Sequence, residues 1–438
     1  MQGGTVLKAI RSLLLIDGTG RPEIQNGVLC VDDDGLITDV GPVDQVSVPE
    51  NAEEVDWSEY VVVPGFIDSH THLGLWGAKR KSKQGLVEQR LQASPYALTL
   101  KACVNLLEDL ESGTTTSRAL GDSGNIEVEL RDAINRCEML GPRLLAGAQV
   151  RTTHGAGVTA PPADGEWEIR KTIREGILTG ADVMKIFGTS PRYGLDELGY
   201  RRGDLSEMPT YTKQELVAGV DEAHGAGLRV AIHALGGKGL RWAIEAGGDS
   251  IEHANLMKEE DIELFLKYEA VLSDPNLQLF FSPETGFSTR ATWDELPAWW
   301  REKVVATAER TRVVMTKALA AGVKFALGTD SNHGELWREA VLFKEVLGAS
   351  SMQAIQAITK NTAETLGVDA HLGTLEKGKF ADAVALGRNP LEDLTACGEV
   401  VRVMKRGVIL EPPLMRSLAM MQKEDPWEYE PWYSYAPE

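Results

Sequence analysis

The chain has 438 residues, 43% hydrophobic and 25% charged, enough to bury one large core and a smaller one. Its net charge of −20 offers no basic face to a phosphate backbone or an anionic membrane surface, so neither nucleic acid nor membrane is an expected partner. The apolar stretch Leu13–Ile16 lacks a basic lead-in and a cleavage site, and no segment reaches membrane-spanning length. Cys30, Cys103, Cys137 and Cys397 lack metal-type spacing and read as buried structural thiols in a reducing compartment, the cytoplasm.

In chain order, the first sixty residues alternate short apolar runs with turn signals. Leu13–Ile16, Val28–Val31 and Leu36–Val40 predict strands, with Asp34-Gly35 as a hairpin turn that needs positive backbone angles. From about residue 62 to 370 the rhythm changes to apolar runs alternating with amphipathic helices, which predicts β/α units and a parallel sheet. Eight strands are expected: Gly65–His72, Thr114–Ala119, Leu144–Val150, Val183–Phe187, Arg229–His233, Ser250–His253, Ala270–Ser273 and Lys324–Thr329. Ser94-Pro95 starts a helix with Leu100, Cys103, Val104, Leu107 and Leu110 on its apolar face and Gly113 as its stop. Thr212 and Glu215 form a capping box ahead of Leu216 and Val220. Eight such units predict an α/β chain with a (β/α)₈ barrel, although an open doubly wound sheet gives the same local texture. Strand texture returns at Asp382–Leu386, Val400–Met404 and Val408–Leu410, so both ends of the chain should build one small β-domain. The expected division is residues 1–61 plus 372–412 for that domain, 62–371 for the barrel and 413–438 for an aromatic tail lying over a neighbouring surface.

In a barrel the chemistry sits at the C-terminal strand ends, and four of the eight histidines fall there: His70, His72, His233 and His253. His70 and His72 are two apart, so a strand presents both on one face, where neutral imidazoles suit an ion such as Zn²⁺. The bland reading is a surface pair, but the apolar run Val61–Ile67 places them on a buried strand. Asp330, ending the last strand, is either a helix N-cap or a ligand that also shuttles a proton. His233 and His253, one β/α unit apart, are either core histidines or holders of a second ion. Lys185 sits within Val183-Met184-Lys185-Ile186-Phe187, where an ammonium is costly unless paired, neutral or modified. It is either half of a structural ion pair or a neutral amine able to take up CO₂ as a carbamate.

These segments together resemble the amidohydrolase superfamily: Pro64-Gly65-Phe66-Ile67-Asp68-Ser69-His70-Thr71-His72, Gly113-Thr114-Thr115-Thr116 followed by Arg118, Met184-Lys185-Ile186-Phe187, Ile232-His233-Ala234, Ser250-Ile251-Glu252-His253, Gly328-Thr329-Asp330-Ser331 and Gly373-Thr374-Leu375-Glu376-Lys377-Gly378. The likeness runs from about residue 5 to 412 and is nearest to the branch of Xaa-Pro dipeptidases, with enzymes acting on ochratoxin, phenylureas and thiocarbamates. It implies a TIM barrel with a small β-sandwich domain. It also implies two divalent ions, zinc by preference, held by His70, His72 and Asp330 and by His233 and His253, with N-carboxylated Lys185 between them. The implied reaction is hydrolysis of an amide C–N bond by a hydroxide bridging the ions, with Asp330 moving the proton. Dipeptides, N-acyl amino acids, aryl amides, and carbamates or ureas are all candidate substrates, and a homo-oligomer is expected.

Substrate contacts are less marked. A Tyr common in the branch two residues after the strand-five His is Leu235 here. His154 either stabilises an oxyanion, grips a carboxylate or packs locally, and His333 in the loop after Asp330 has the same alternatives. Trp76, with Phe280, Phe281, Phe287, Trp293, Trp299 and Trp300, either walls an apolar pocket or packs on its own helix or against another subunit. Two rivals remain. A mononuclear deaminase of the superfamily carries a Glu soon after the strand-five His, where this chain has Ala234-Leu235-Gly236. A non-catalytic scaffold would have lost ligands that are all present here.

Overall fold

The computed structural model describes residues 8–75, 93–191, 205–282 and 297–414. Four strands open the chain: β1 (Lys8–Leu15), β2 (Ile24–Val31), β3 (Ile37–Pro42) and β4 (Glu53–Pro64). Gly35, at φ 76°, turns β2 into β3 as the Asp-Gly pair requires. After Gly65 the parallel strands begin: β5 (Phe66–Thr71), β6 (Thr114–Ala119), β7 (Arg143–Val150), β8 (Val183–Phe187), β9 (Arg229–Gly236), β10 (Ser250–Leu256), β11 (Val271–Ser273) and β12 (Phe325–Ala326). Between and after them run α1 (Pro95–Glu111), α2 (Ile126–Asn135), α3 (Glu166–Leu178), α4 (Lys213–Gly225), α5 (Gly237–Glu245), α6 (Ile262–Lys267), α7 (Leu277–Phe281), α8 (Ala298–Ala320), α9 (Leu336–Leu347), α10 (Ser351–Ala357) and α11 (Lys360–Leu366). The strands β13 (Ala383–Leu386), β14 (Val400–Lys405) and β15 (Val408–Leu410) follow.

The end strands join the opening four in one seven-stranded sheet of order β15-β14-β13-β4-β1-β2-β3. Side chains from both halves of it, among them Ile10, Leu29, Ile37, Trp57, Ala383 and Met404, share one buried cluster, the packing of a sandwich. The other sheet runs in sequence order from β5 to β12. Its ends meet: Ser69 N donates to Leu327 O at 3.0 Å and Asp330 N donates to His70 O at 2.8 Å. The sheet therefore closes into a (β/α)₈ barrel, and the open doubly wound alternative is excluded. The last strand is shorter than expected, two residues rather than Lys324–Thr329, because the amides of Thr329 and Asp330 turn to the carbonyl of His70 instead of continuing the ladder with β11.

Two expectations need correcting. Helix α1 starts at Ser94, whose hydroxyl accepts from Ala97 N, as the sequence indicates. Of the expected face, however, only Leu110 is buried; the buried residues are Leu98, Ala102, Asn105, Leu106, Asp109 and Leu110, while Leu100 is 71% exposed. Two polar residues lie on the inner face because they bond inward, which hides the true stripe from a hydrophobicity pattern. The cysteines are all free, but only Cys30 and Cys397 are buried; Cys137 is exposed just past the end of α2, at φ 57°. The capping box of Thr212 and Glu215 on α4 forms as expected. Among the described residues no helix is long and apolar enough to cross a membrane.

Candidate active site

The first ligand-type pair stands at the end of β5, with His70 on the strand and His72 just past it, and all six residues of the strand are buried. His70 Nε2 lies 3.6 Å from Asp330 Oδ1, and His72 Nε2 lies 3.4 Å from the same oxygen. The other ring nitrogens are held from behind. His72 Nδ1 faces the carbonyl of Gly121 at 2.8 Å, and His70 Nδ1 faces Glu252 Oε2 at 2.9 Å. Such contacts fix the rings so that Nε2 is the donor left for an ion. Asp330 reaches this position with φ at 56°, a strained left-handed conformation that the closing seam imposes.

Lys185, the middle residue of β8, is 1% exposed, and its Nζ lies 3.5 Å from His70 Nε2. Burial lowers its pKa to about 8, against the opposing pull of Glu252 and Asp330, so a neutral amine is accessible near physiological pH. On the next two strands His233 and His253 bring their ring centroids to 4.9 Å, and His253 stands 5.0 Å from His70. His253 and Ala254 both have positive φ, at 74° and 52°, where the register of β10 against β9 shifts. His233 Nε2 is buried with no hydrogen-bond partner among the described residues. Burial, then the proximity of His253 and Lys185, holds the pKa of His233 well below its ordinary value, so the ring stays neutral with a lone pair to offer. His70, His72, Lys185, His233, His253 and Asp330 are thus brought together at one mouth. Two overlapping groups there suit a cation: His70, His72 and Asp330, and His70, His253 and Asp274.

Beneath this layer lies a buried polar network. Arg118 on β6 donates to Ser69 O at 2.5 Å, Ser250 Oγ at 2.9 Å and Glu252 Oε1 at 2.8 Å. Asp68 accepts from His70 N at 3.0 Å and from Thr329 Oγ1 at 2.7 Å, tying the two sides of the seam. His333 is buried, with Nδ1 on Asp109 Oδ2 at 2.9 Å and Nε2 on the His72 carbonyl at 3.2 Å, which leaves neither nitrogen for a substrate. Burial opposes its protonation, but Asp109 outweighs that and raises its pKa. His154 is exposed in the loop after β7, and Leu235 is buried, its amide donating to Thr189 Oγ1 at 3.0 Å. Phe280 and Trp300 pack with Val304 in a cluster between α7 and α8. Trp76, Phe287, Trp293 and most of the aromatic tail lie outside the described residues.

Sequence reasoning missed Asp274 and Asn276. Both follow the apolar strand β11 as Asp330 follows β12, so the strand-end rule applied once more would have found the acid. Asn276 Nδ2 donates to Asp330 Oδ2 at 3.0 Å, which turns the other oxygen toward the histidines.

Residues 61–410 match the amidohydrolase family. The chain belongs to that family. This amidohydrolase is a hydrolase with relatives in the branch its motifs indicated. It is 28% identical to an ochratoxinase of Aspergillus niger, over 91% of this chain and 86% of the relative. The crystal structure of A. niger ochratoxinase superposes with a TM-score of 0.79 at 25% identity, covering 94% of this chain and 97% of the other. That of an Xaa-Pro dipeptidase with methionine bound in its active site gives 0.78 at 29% identity, over 92% of this chain and all of the other (100%). An imidazolonepropionase of Fusobacterium nucleatum is 26% identical over 82% of this chain and 84% of its own.

Proposed function

We propose that this amidohydrolase holds two divalent ions, zinc being well matched to imidazole and carboxylate donors, and hydrolyses an amide C–N bond. One observation carries the reading: four imidazoles, a carboxylate and a buried lysine converge, and the buried Nε2 of His233 has no partner among the described residues. His70, His72 and Asp330 would hold one ion and His233 and His253 the other. Lys185 would stand between them once its neutral amine has attacked CO₂, forming an N–C bond and releasing a proton. Bound ions would polarise the substrate carbonyl and acidify water enough for it to lose a proton near neutral pH.

The chain's own residues do the rest. Asp330 receives that proton on a carboxylate whose Oδ2 is steadied by Asn276, and delivers it to the departing nitrogen. Glu252 and the Gly121 carbonyl keep His70 and His72 from rotating. Likeness to an ochratoxinase and an Xaa-Pro dipeptidase supports a small amide: a dipeptide, an N-acyl amino acid or an aryl amide such as an ochratoxin-like molecule. Leu235 stands where many peptidases of the branch carry a Tyr, which weighs against a simple dipeptidase assignment. The four free cysteines support a reducing, cytoplasmic setting.

Elemental analysis of the purified chain should find two ions per chain, and Lys185→Ala should lower that content and abolish hydrolysis. One ion per chain, or full activity in the variant, would overturn the two-ion reading. A panel of N-acyl amino acids, dipeptides, aryl amides, phenylureas and carbamates identifies the substrate class. Turnover of ureas or carbamates alone would overturn the amide assignment.

A further inference from the structure

Strand β11 supplies none of the six side chains above, yet the residue that follows it is an acid with 0% exposure. Asp274 Oδ2 lies 3.1 Å from His70 Nδ1 and 3.3 Å from His253 Nδ1. Among the described residues no well-aligned donor satisfies either carboxylate oxygen, so these two imidazoles are its nearest partners. A buried carboxylate so placed is unfavourable unless the N–H groups facing it are strongly polarised.

We infer that Asp274 is a positioning residue shared by both ion sites: one carboxylate oxygen draws the Nδ1–H of His70 and of His253 together, leaving Nε2 of each as the donor for an ion. This rests on the two-ion reading above. Each ring also has an acceptor of its own. For His70 it is Glu252 at 2.9 Å, and for His253 it is the Asp274 carbonyl at 3.1 Å. What Asp274 adds is a full negative charge behind two rings assigned to different ions. A carboxylate behind a ligating histidine makes the ring a better donor and fixes its tautomer. Glu252 does this for His70 alone. Loss of Asp274 should therefore weaken both sites, whereas loss of Glu252 should weaken one.

The test titrates Zn²⁺ into chelator-stripped wild type, Asp274→Asn and Glu252→Gln against a chromophoric chelator, and records the melting temperature of each apoprotein. Asp274 has φ 44°, which Asn and Gly tolerate, so Asp274→Gly provides a second variant if Asn does not fold. Asp274→Asn should weaken both equivalents by about 10- to 100-fold. Glu252→Gln should weaken one. Apo Asp274→Asn should melt no lower than apo wild type, because among the described residues the buried carboxylate has no well-aligned donor to offset its desolvation. Affinities within about threefold of wild type, a loss confined to one equivalent, or a lowered apo melting temperature with unchanged affinity would each overturn the shared role. A wild type that itself binds a single ion overturns the two-ion reading and this inference with it.

Discussion

Arg118 is the perturbation from which the most can be learned about what supports the site. It is 1% exposed, and its guanidinium donates to Ser69 O, Ser250 Oγ, Glu252 Oε1 and, at 3.3 Å, Ser273 Oγ. Burial pushes the pKa of Glu252 up, yet Arg118 first, and then His70 and Lys185, outweigh it and hold the group well below the carboxylate range. Arg118→Met replaces the guanidinium with an apolar chain of smaller volume and leaves Glu252 charged, with only His70 and the Ser250 hydroxyl as partners. Breaking a buried pair from one side costs about 3–5 kcal/mol, because the surviving charge has nothing to replace the solvent it lost. Glu252→Gln alone strands the arginine and should cost a similar amount. The double variant strands neither, so it should lose less than either single change, a coupling of roughly 2 kcal/mol or more. Urea unfolding of the chelator-stripped proteins, followed by circular dichroism, measures this without interference from bound ions. Additive losses, or an Arg118→Met variant within about 1 kcal/mol of wild type, would refute the claim that a charge pair props up the barrel interior.

Other outcomes follow from the same geometry. Asn276 has φ 53° and donates to Asp330, so Asn276→Gly keeps the backbone and removes the donor, whereas Asn276→Ala also strains the backbone. Both should lower kcat on whichever amide is turned over, by about tenfold for loss of one charge-assisted bond, and only Ala should cost roughly 1 kcal/mol more in stability; an unimpaired Gly variant would count against the bond. Gly121 has φ 98°, a Cβ there would sit 2.2 Å from Gln149 Cγ, and its carbonyl faces His72. Gly121→Ala should therefore weaken Zn²⁺ binding as well as stability, which a chelator competition and a melt read separately. On the small sheet, burial lowers the pKa of Lys405 to about 8 while its Nζ donates to Gly141 O. The unfolded chain binds that proton more tightly, so the ammonium destabilises the fold below about pH 8, and the penalty fades as pH rises toward 10.5. Lys405→Met should gain on the order of 1 kcal/mol at pH 7 after the lost hydrogen bond is counted, and the gain should vanish by about pH 10 in paired melts.

The parts of this molecule that could be read in advance are those where one physical demand acts alone. Apolar runs of four to seven residues ending in His or Asp can satisfy backbone and core at once only as buried strands, so the barrel strands and their ligand-type termini were legible. The helix caps at Ser94 and Thr212 were legible for the same reason. Where two demands compete, the pattern misleads. Asn105 donates to the carbonyls of Leu73 and Leu75, and Asp109 accepts from His333 and Gly334, so α1 turns polar residues inward and Leu100 outward. Asp274 and Asn276 escaped notice although their strand was legible, because an acid and an amide flanking Pro275 read as ordinary turn residues. The shortness of β12 was not visible either, since it depends on a carbonyl 259 positions or more away in the chain.

That last contact bears on how the protein is made. Thr329 and Asp68, 261 residues apart, close the seam that also carries His70 and Asp330. A chain growing from its N-terminus has β5 almost at once, but nothing to complete the barrel against until some 330 residues exist. The cluster straddles this seam, and the long sequence separation of its contacts raises the contact order, a feature that correlates with slow folding. An unfinished or truncated chain then has the histidines without Asp330 and the seam that orders them, so an ion held by the proposed cluster would mark a barrel closed to its far side.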